Sequence, residues 1–399
     1  MEQSLLSEPS QMASAEQALT CKAAKQVTVG DSHEQILAEP VGPGPTQTVQ
    51  AEPVQLQVNR LEIEHPDWTN FVTGQSGAVM FHHPQWARLL ADSYRYEAFA
   101  LTLADRSGLI YAGLPVLEIS GPLRRKRWVS LPFTDCCAPL VTNGVDAAFA
   151  FELDRLRASS GVSALEVRAL LAPGVFDEEV GTIHKLDLTP SLDDVYKGFS
   201  RSRVRPEIKR AAREGVRIRE AKQPSDLTET FYNLHVATRR RQGVPVQPRR
   251  FFDLLWHRLL EPGLGFALIA DLGGRAVAAA VFLAWNRTVI YKYAASDEAF
   301  RWARPNHLLL WEAIRRSHEA GAHTLDFGRS DAANEGLRRF KSGWGAHEEP
   351  LAYSIFANDA PAPRADSSRR LQRLLQETIR RSPPWVCRTI GAAAYRYAA

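Results

Sequence analysis

One stretch, Thr324 to Gly345, gathers residue types that could do chemistry within a short span. Thr324 to Phe327 patterns as a strand and carries an acid, Asp326. A polar loop follows, with small residues at Gly328 and Ser330 and with Arg329 and Asn334 beside them. The stretch closes on Phe340-Lys341, with Trp344 between Gly343 and Gly345. Strand, glycine turn and an aromatic next to a lysine make a corner where a cation can face a reacting group. Asp326, Asp331, His307 and His323 are the side chains able to accept a proton there, geometry permitting. No Ser-His-Asp or Cys-His constellation is legible, which argues against a nucleophile supplied by the protein. The four cysteines, Cys21, Cys136, Cys137 and Cys387, match no zinc spacing, so no metal is expected. Neighbours such as Cys136-Cys137 do not normally pair, and the set reads as reduced thiols of a cytoplasmic protein.

Charge points to an anionic partner. The formal net charge is +4, but residues 1–55 carry a net −5 and the remainder +9. The bases cluster at Arg124 to Arg127, Arg201 to Arg219, Arg239 to Arg241, Arg249-Arg250 and Arg338 to Lys341. Such clusters suit phosphates, nucleic acid or an anionic membrane, although a solvated helix face gives the same pattern. Within the second cluster, Arg205, Lys209 and Arg210 could grip a phosphate-bearing carrier, because Val204, Ile208 and Ala212 supply the buried face of the same helix.

The elements that must position these groups follow from periodicity. Residues 1–55, poor in aromatics and rich in Gln, Glu, Ala and Pro, read as a disordered leader. Pro84 to Leu90 patterns as a helix, with Trp86, Leu89 and Leu90 on one face. Phe99 to Ala104 and Leu109 to Leu117 read as a hairpin; Trp128 to Pro132, Ala164 to Ala169 and Ile183 to Leu188 read as strands, and Ala147 to Ala158 as a helix. A second unit begins near Pro190. It holds helices over Ser191 to Glu214 (in two pieces around Pro206), Leu227 to Gln242, Pro248 to Leu260 and Asn306 to Ala320. Its strands are Val216 to Glu220, Phe266 to Asp271, Arg275 to Leu283, Thr288 to Ala295, the opening stretch, and Leu351 to Ile355. The two units echo each other: Phe99 to Asp105 resembles Phe266 to Asp271, and Gly161 to Arg168 resembles Gly321 to Arg329. Same order and similar spacing predict a duplicated α/β domain. The tail holds a basic amphipathic helix over Asp366 to Arg381, stopped by Pro383-Pro384-Trp385, which could lie on an anionic membrane or dock on its own domain. No apolar run is long enough to span a bilayer.

Several motifs then converge: Phe81-His-His-Pro-Gln-Trp86, Arg205-Pro-Glu-Ile-Lys-Arg-Ala-Ala-Arg-Glu-Gly-Val216, Tyr291-Lys-Tyr-Ala-Ala-Ser296, Asp326-Phe-Gly-Arg-Ser330, and Gly336-Leu-Arg-Arg-Phe-Lys341 followed by Gly345. Together they resemble the FemABX family and its FemAB-like or CelD-like relatives within the GNAT superfamily, over roughly residues 56–356. The resemblance implies an α/β chain of two tandem GNAT-like domains with a central cleft, here 56–190 and 191–356, between the leader and the basic tail, 357–399. It implies an N-acyltransferase or aminoacyltransferase acting on an amine of a cell-envelope (peptidoglycan) or exopolysaccharide precursor. The acceptor would be an anionic, carrier-linked small molecule. No tightly bound cofactor is implied; the co-substrate is acyl-CoA or aminoacyl-tRNA, with tRNA as a partner in the second case. Two departures stand out: the second domain lacks a helical-hairpin arm, and Arg301-Trp-Ala-Arg-Pro305 lacks the glycine-rich pattern that grips a CoA pyrophosphate.

By the same resemblance Lys341 sits near the reacting carbonyl, where a cation lowers the barrier to the tetrahedral oxyanion. Phe340 would shape the pocket and Asp326 take the amine's proton. Arg88 would serve a substrate phosphate, alongside Arg205, Lys209 and Arg210. Gly328, Arg329, Ser330 and Asn334 would form the polar rim, lined by Tyr293 and Trp344. The alternative is a catalytically degenerate module that binds RNA or an anionic glycolipid without chemistry. The second domain alone has the Gly-Arg-Ser loop and Phe340-Lys341, so the chemistry is expected there, with the first domain as the facing wall.

Overall fold

A computed structural model describes residues 55–120, 125–142, 144–171, 176–359 and 366–395. The leader expected over 1–55 therefore lies, except for its last residue, outside the described residues. The first half runs β1 (Gln57–Glu62), α1 (Pro66–Gly74), α2 (Pro84–Tyr94), β2 (Glu97–Ala104), β3 (Ile110–Ser120), β4 (Lys126–Val129), β5 (Leu140–Val141), α3 (Asp146–Ser159), β6 (Ala164–Val167) and β7 (Phe176–Asp187). The second runs α4 (Leu192–Gly198), α5 (Arg205–Arg213), β8 (Arg217–Glu220), α6 (Tyr232–Gln242), α7 (Arg249–Leu255), β9 (Gly265–Leu272), β10 (Arg275–Trp285), β11 (Thr288–Ser296), α8 (Pro305–Glu319), β12 (Thr324–Ser330), α9 (Glu335–Ser342) and β13 (His347–Ala357). Helices α10 (Asp366–Arg381) and α11 (Pro384–Ala394) close the chain.

The strands form one sheet in the order β1-β2-β3-β4-β6-β13-β7-β12-β11-β10-β9-β8, with β5 beside β3. Read from either end, this order is the same pattern. β1 corresponds to β8, β2 to β9, β3 to β10, β4 to β11, β6 to β12, and β7 to β13. The expected duplication is thus built into the sheet as a pseudo-two-fold. The two halves exchange their last strands: β13 pairs with β6 and β7 pairs with β12, both antiparallel. The exchange also explains why both strands outrun their predicted lengths. β7 starts at Phe176 and β13 spans His347–Ala357, since they pair with each other across the centre as well.

Helices cover both faces, and strand alternation decides which face each residue serves. On β9, Ala267 and Ile269 join one buried cluster, while Phe266, Leu268 and Ala270 join another. The first cluster is shared by both halves, uniting Trp86, Leu89 and Leu90 of α2 with Phe251, Phe252 and Leu255 of α7. A third packs Phe149 and Leu153 of α3 on Leu101, Leu114 and Leu165.

One local expectation is corrected, and the tail is made more definite. On α5 the buried residues are Ile208 and Ala211, with Val204 just before them, whereas Ala212 is exposed; the helix starts at Arg205, so its face is rotated by one position. The tail helix spans Asp366–Arg381 as expected and stops before Pro383-Pro384-Trp385, and a second helix, not expected, follows it. Pro384 starts α11, as proline does at a first helical turn, and Cys387 of that helix is fully buried. Of the two settings expected for α10, the structure shows docking on its own domain: Ile379 is fully buried, and Gly243, just past α6, abuts Gln376. Among the described residues no helix is long and apolar enough to cross a membrane.

Candidate active site

The two parallel strand pairs of the repeat are short and then part. β11 pairs with β12 only over Thr288–Ile290 and Thr324–Asp326. β4 pairs with β6 only over Arg127–Val129 and Ala164–Glu166. Past these points the strands diverge, and the loop after β4 crosses into the other half. Its backbone is held at three successive carbonyls by donors from three elements. Lys292 Nζ of β11 donates to Phe133 O at 2.8 Å, Arg168 to Thr134 O at 2.6 Å, and Tyr353 Oη of β13 to Asp135 O at 2.7 Å. Trp86 Nε1 adds a bond to Thr134 Oγ1 at 2.9 Å. Leu131 and Phe133 both have φ near +60°, a left-handed conformation that costs a non-glycine residue free energy. Strain so firmly fixed serves to present one side chain, Asp135, at the seam.

Asp135 meets a buried lysine and a glycine turn there. Its carboxylate lies 3.6 Å from Lys292 Nζ. Lys292 is enclosed by the rings of Phe81, Trp86 and Tyr293, at 5.0, 5.5 and 5.8 Å. Burial pulls the Lys292 pKa down, and Asp135 partly opposes this. The same carboxylate faces Gly328, where a Cβ would stand only 2.8 Å from Asp135 Oδ2. Gly328 has φ +71°, so this close approach and the left-handed turn both require glycine.

Lys341 enters the same turn from α9. It is 4% exposed, and its Nζ donates to Gly328 O at 2.6 Å and Arg329 O at 2.9 Å. An ammonium has three donors, so one N–H remains to be directed at a substrate. Burial lowers the Lys341 pKa to about 8, against the attraction of Asp135 and Asp326. Asp326, half-buried on β12, accepts from Gly328 N at 2.7 Å. Burial raises its pKa to about 6, with the Gly328 bond opposing and the Asp135 charge adding to the rise. The cluster therefore places an acid that can take a proton near neutrality beside a cation that can stabilise developing negative charge.

The other expected residues divide. Gly328 and Arg329 contribute the carbonyls that hold Lys341, and Tyr293 touches Lys292. Ser330 is buried on β12 with an unpartnered hydroxyl, and Asn334 caps α9 by accepting from Leu337 N. Phe340 and Trp344 pack with His307, and Trp344 is fully buried in the second-half core rather than lining an opening. Arg88 pairs with Glu64 and Asp92 on the surface of α2. Arg205 stacks on Tyr196 and bonds Lys197 O, Arg210 lies 3.8 Å from Glu214, and Lys209 is exposed. None of these four bases bonds to the Lys341 cluster. Of the other proton acceptors considered, burial holds His307 at about 4, Asp331 pairs with Arg329 at 3.4 Å, and His323 is exposed beside Arg287. At the start of α8, where a glycine-rich turn would offer bare N–H groups to a pyrophosphate, Arg304 pairs instead with Glu207 at 2.8 Å.

Asp135, Lys292, Arg168 and Tyr353 were invisible to motif reading. Within Tyr291-Lys-Tyr-Ala-Ala-Ser296, Lys292 patterns as one more strand position. The one available signal is the run Ser130 to Cys137, a proline-containing stretch too long for a tight turn, and long connections often carry function.

Comparison with known proteins bears on the fold. Residues 198–348 match the family model described as an acetyltransferase (GNAT) domain. No curated protein matches the sequence. Among solved structures, the chain is similar to FemX, with 14% identity and a TM-score of 0.61 over 80% of this chain and 100% of that one. It is also similar to L-PGS from Bacillus licheniformis, with 12% identity and a TM-score of 0.53 over 79% and 98%. At these identities the two structures establish the fold. Residues 198–348 thus match a GNAT domain, and the fold of the chain as a whole is similar to that of FemX.

Proposed function

We propose that this protein transfers an acyl or aminoacyl group to an amine on an anionic, carrier-linked precursor of the cell envelope or of an exopolysaccharide, in the cytoplasm. The observation that carries the reading is Lys341, buried at the seam and held by two carbonyls so that one N–H stays uncommitted.

In this reading the donor carbonyl lies against Lys341 and the acceptor amine enters between Asp326 and Asp135. Asp326, ionised above about pH 6, takes the amine's proton. The amine attacks, and the tetrahedral oxyanion is met by the third N–H of Lys341 in a site shielded from water. Asp135, fixed by three backbone anchors and Lys292, orients the amine from the first half. The basic residues of α5, with the exposed Arg201 and Arg203 before it, supply positive charge for the carrier. Similarity to FemX and to L-PGS supports an acceptor outside the usual small amines; it leaves acyl-CoA and aminoacyl-tRNA both open as donors.

The deciding experiment incubates the protein with labelled aminoacyl-tRNA and, separately, labelled acyl-CoA, together with carrier-linked amine acceptors. Transfer of one label, abolished in Lys341→Met, is expected. Retention of full transfer by a folded Lys341→Met would sink the assignment.

A further inference from the structure

Away from the seam, α6, α7 and α11 enclose a cavity of about 300 Å³, lined by Thr228, Glu229, Tyr232, Asn233, Arg249 and Arg388. The first four come from a π-helical turn, Asp226–Phe231, and from the start of α6, into which it runs. Such turns are rare and frequently mark functional sites. Thr228 and Tyr232 are four residues apart, as are Glu229 and Asn233, so these side chains share one face. Arg249 opens α7, and Arg388 lies on α11. Tyr232 is the one buried residue of the lining, 6% exposed. Its hydroxyl has no hydrogen-bond partner among the described residues, although a buried tyrosine usually finds one. Burial raises the Tyr232 pKa, so the hydroxyl keeps its proton and can donate. Arg388 stands over the Tyr232 ring at 5.7 Å and donates to Asn233 Oδ1 at 3.3 Å, which leaves Asn233 Nδ2 free to donate. Arg249 donates to Glu229 Oε1 at 3.0 Å, which steadies one edge of its guanidinium.

We propose that this cavity is a binding site for a phosphate group, separate from the acyl-transfer seam. Its lining offers guanidinium, phenol and amide donors from α6, α7 and α11, and Glu229 is its one acid. With Glu229 offset by Arg249, the charge of Arg388 stays in excess, so the lining suits an anion. A carboxylate has two oxygens in one plane. A phosphate ester spreads its free oxygens in three dimensions and can meet donors from all three helices at once, with guanidinium edges matching its oxygens in pairs. The site is set apart from Lys292 by two aromatic layers. Tyr232 packs on Phe252 at 5.7 Å between ring centres, Phe252 packs on Tyr293 at 5.8 Å, and it is Tyr293 that touches Lys292. Trp385, 65% exposed, is three residues from Arg388 on α11 and neighbours it on the helix surface. Tryptophan favours the membrane–water interface, so the same phosphate chemistry can come from a lipid headgroup or from a soluble phosphate ester.

Two arms on the full chain separate these sources. Titration with inorganic phosphate and with glycerol phosphate, followed by phosphorus NMR, tests the soluble one. Sedimentation with phosphatidylglycerol–phosphatidylcholine vesicles tests the lipid one. Saturable binding is expected in at least one arm, about tenfold weaker in Arg388→Gln and about fivefold weaker in Tyr232→Phe. Tyr232→Phe removes the hydroxyl and keeps the ring that packs on Phe252, so it remains informative should Arg388→Gln fold poorly. Binding of the soluble phosphates assigns a free ligand, and binding of the vesicles alone assigns a headgroup. Absence of binding in both arms, an affinity that either folded variant leaves unchanged, or acetate bound as tightly as phosphate overturns the proposal. The readout needs no turnover and is independent of the acyl-transfer reading: Lys341→Met should bind as the wild type does.

Discussion

Asp135 and Lys292 belong to opposite halves of the repeat, and their carboxylate and ammonium lie 3.6 Å apart at the seam. Lys292 also fixes the loop behind Asp135 through Phe133 O. The first half is therefore more than a facing wall: it delivers a carboxylate to the turn that holds Lys341. Lys292→Met should reduce kcat by about a hundredfold through misplacement of Asp135. The change in stability should stay within ~2 kcal/mol, because an apolar side chain suits the aromatic enclosure that Lys292 now occupies. Parallel measurement of kcat and a denaturant midpoint checks this; a fall in stability with normal kcat in the folded fraction would contradict it.

Lys341→Met should lower kcat on the order of 100- to 1000-fold with the fold retained, the scale expected for removing one oxyanion donor. Lys341→Arg should not rescue it, since a rigid guanidinium cannot reproduce the bonds to Gly328 O and Arg329 O in a space shaped for an ammonium. Single-turnover assays of both variants are the measurement.

Activity should depend on pH through two groups of opposite sign. Asp326 works ionised, so the rate climbs as pH rises through about 6. Lys341 works protonated, so the rate falls as pH rises through about 8. The profile is then a bell with its maximum near neutrality. Asp326→Asn should remove the acidic limb along with most of the activity; a profile flat through that region in the wild type would exclude Asp326 as the base.

Gly328→Ala should be costly twice over. Its φ of +71° disfavours any Cβ, by ~1–2 kcal/mol. The added methyl would also stand 2.8 Å from Asp135 Oδ2 and displace that carboxylate. Thermal melting should show the first effect, and kcat should fall further than the lost stability explains.

The C-terminal helices bear on the same seam. Tyr395 stacks on Tyr94, touches Phe133 at 5.3 Å between ring centres, and accepts from Arg239 at 2.8 Å. Tyr395→Ala should cost ~2–4 kcal/mol, as buried aromatic truncations do. It should also loosen the loop that carries Asp135. Urea unfolding measures the first effect. Faster amide exchange at Phe133 to Asp135 would report the second.

Much of this fold was legible because it rests on local rules. Apolar runs such as Phe266 to Asp271 marked strands, Pro84 marked a helix start and Pro206 a break between two helices, and paired echoes pointed to the duplication. Gly328 and Lys341 stand within one continuous stretch whose motif carries the family resemblance, whereas Phe340 of the same stretch packs on His307 and Trp344. What stayed hidden depends on contacts far apart in sequence. The exchange of β7 and β13 between halves leaves no local trace, because a strand's pattern records that one face is buried but not which neighbour it pairs with. Asp135 and Lys292 are separated by more than a domain's worth of chain, and neither sits in a pattern that distinguishes it from an ordinary loop acid or strand base. Sequence alone thus determined the double α/β architecture and named Lys341. Only the tertiary structure decided that the site is shared, because burial, register and the approach of two carboxylates to one lysine are set when the halves pack together.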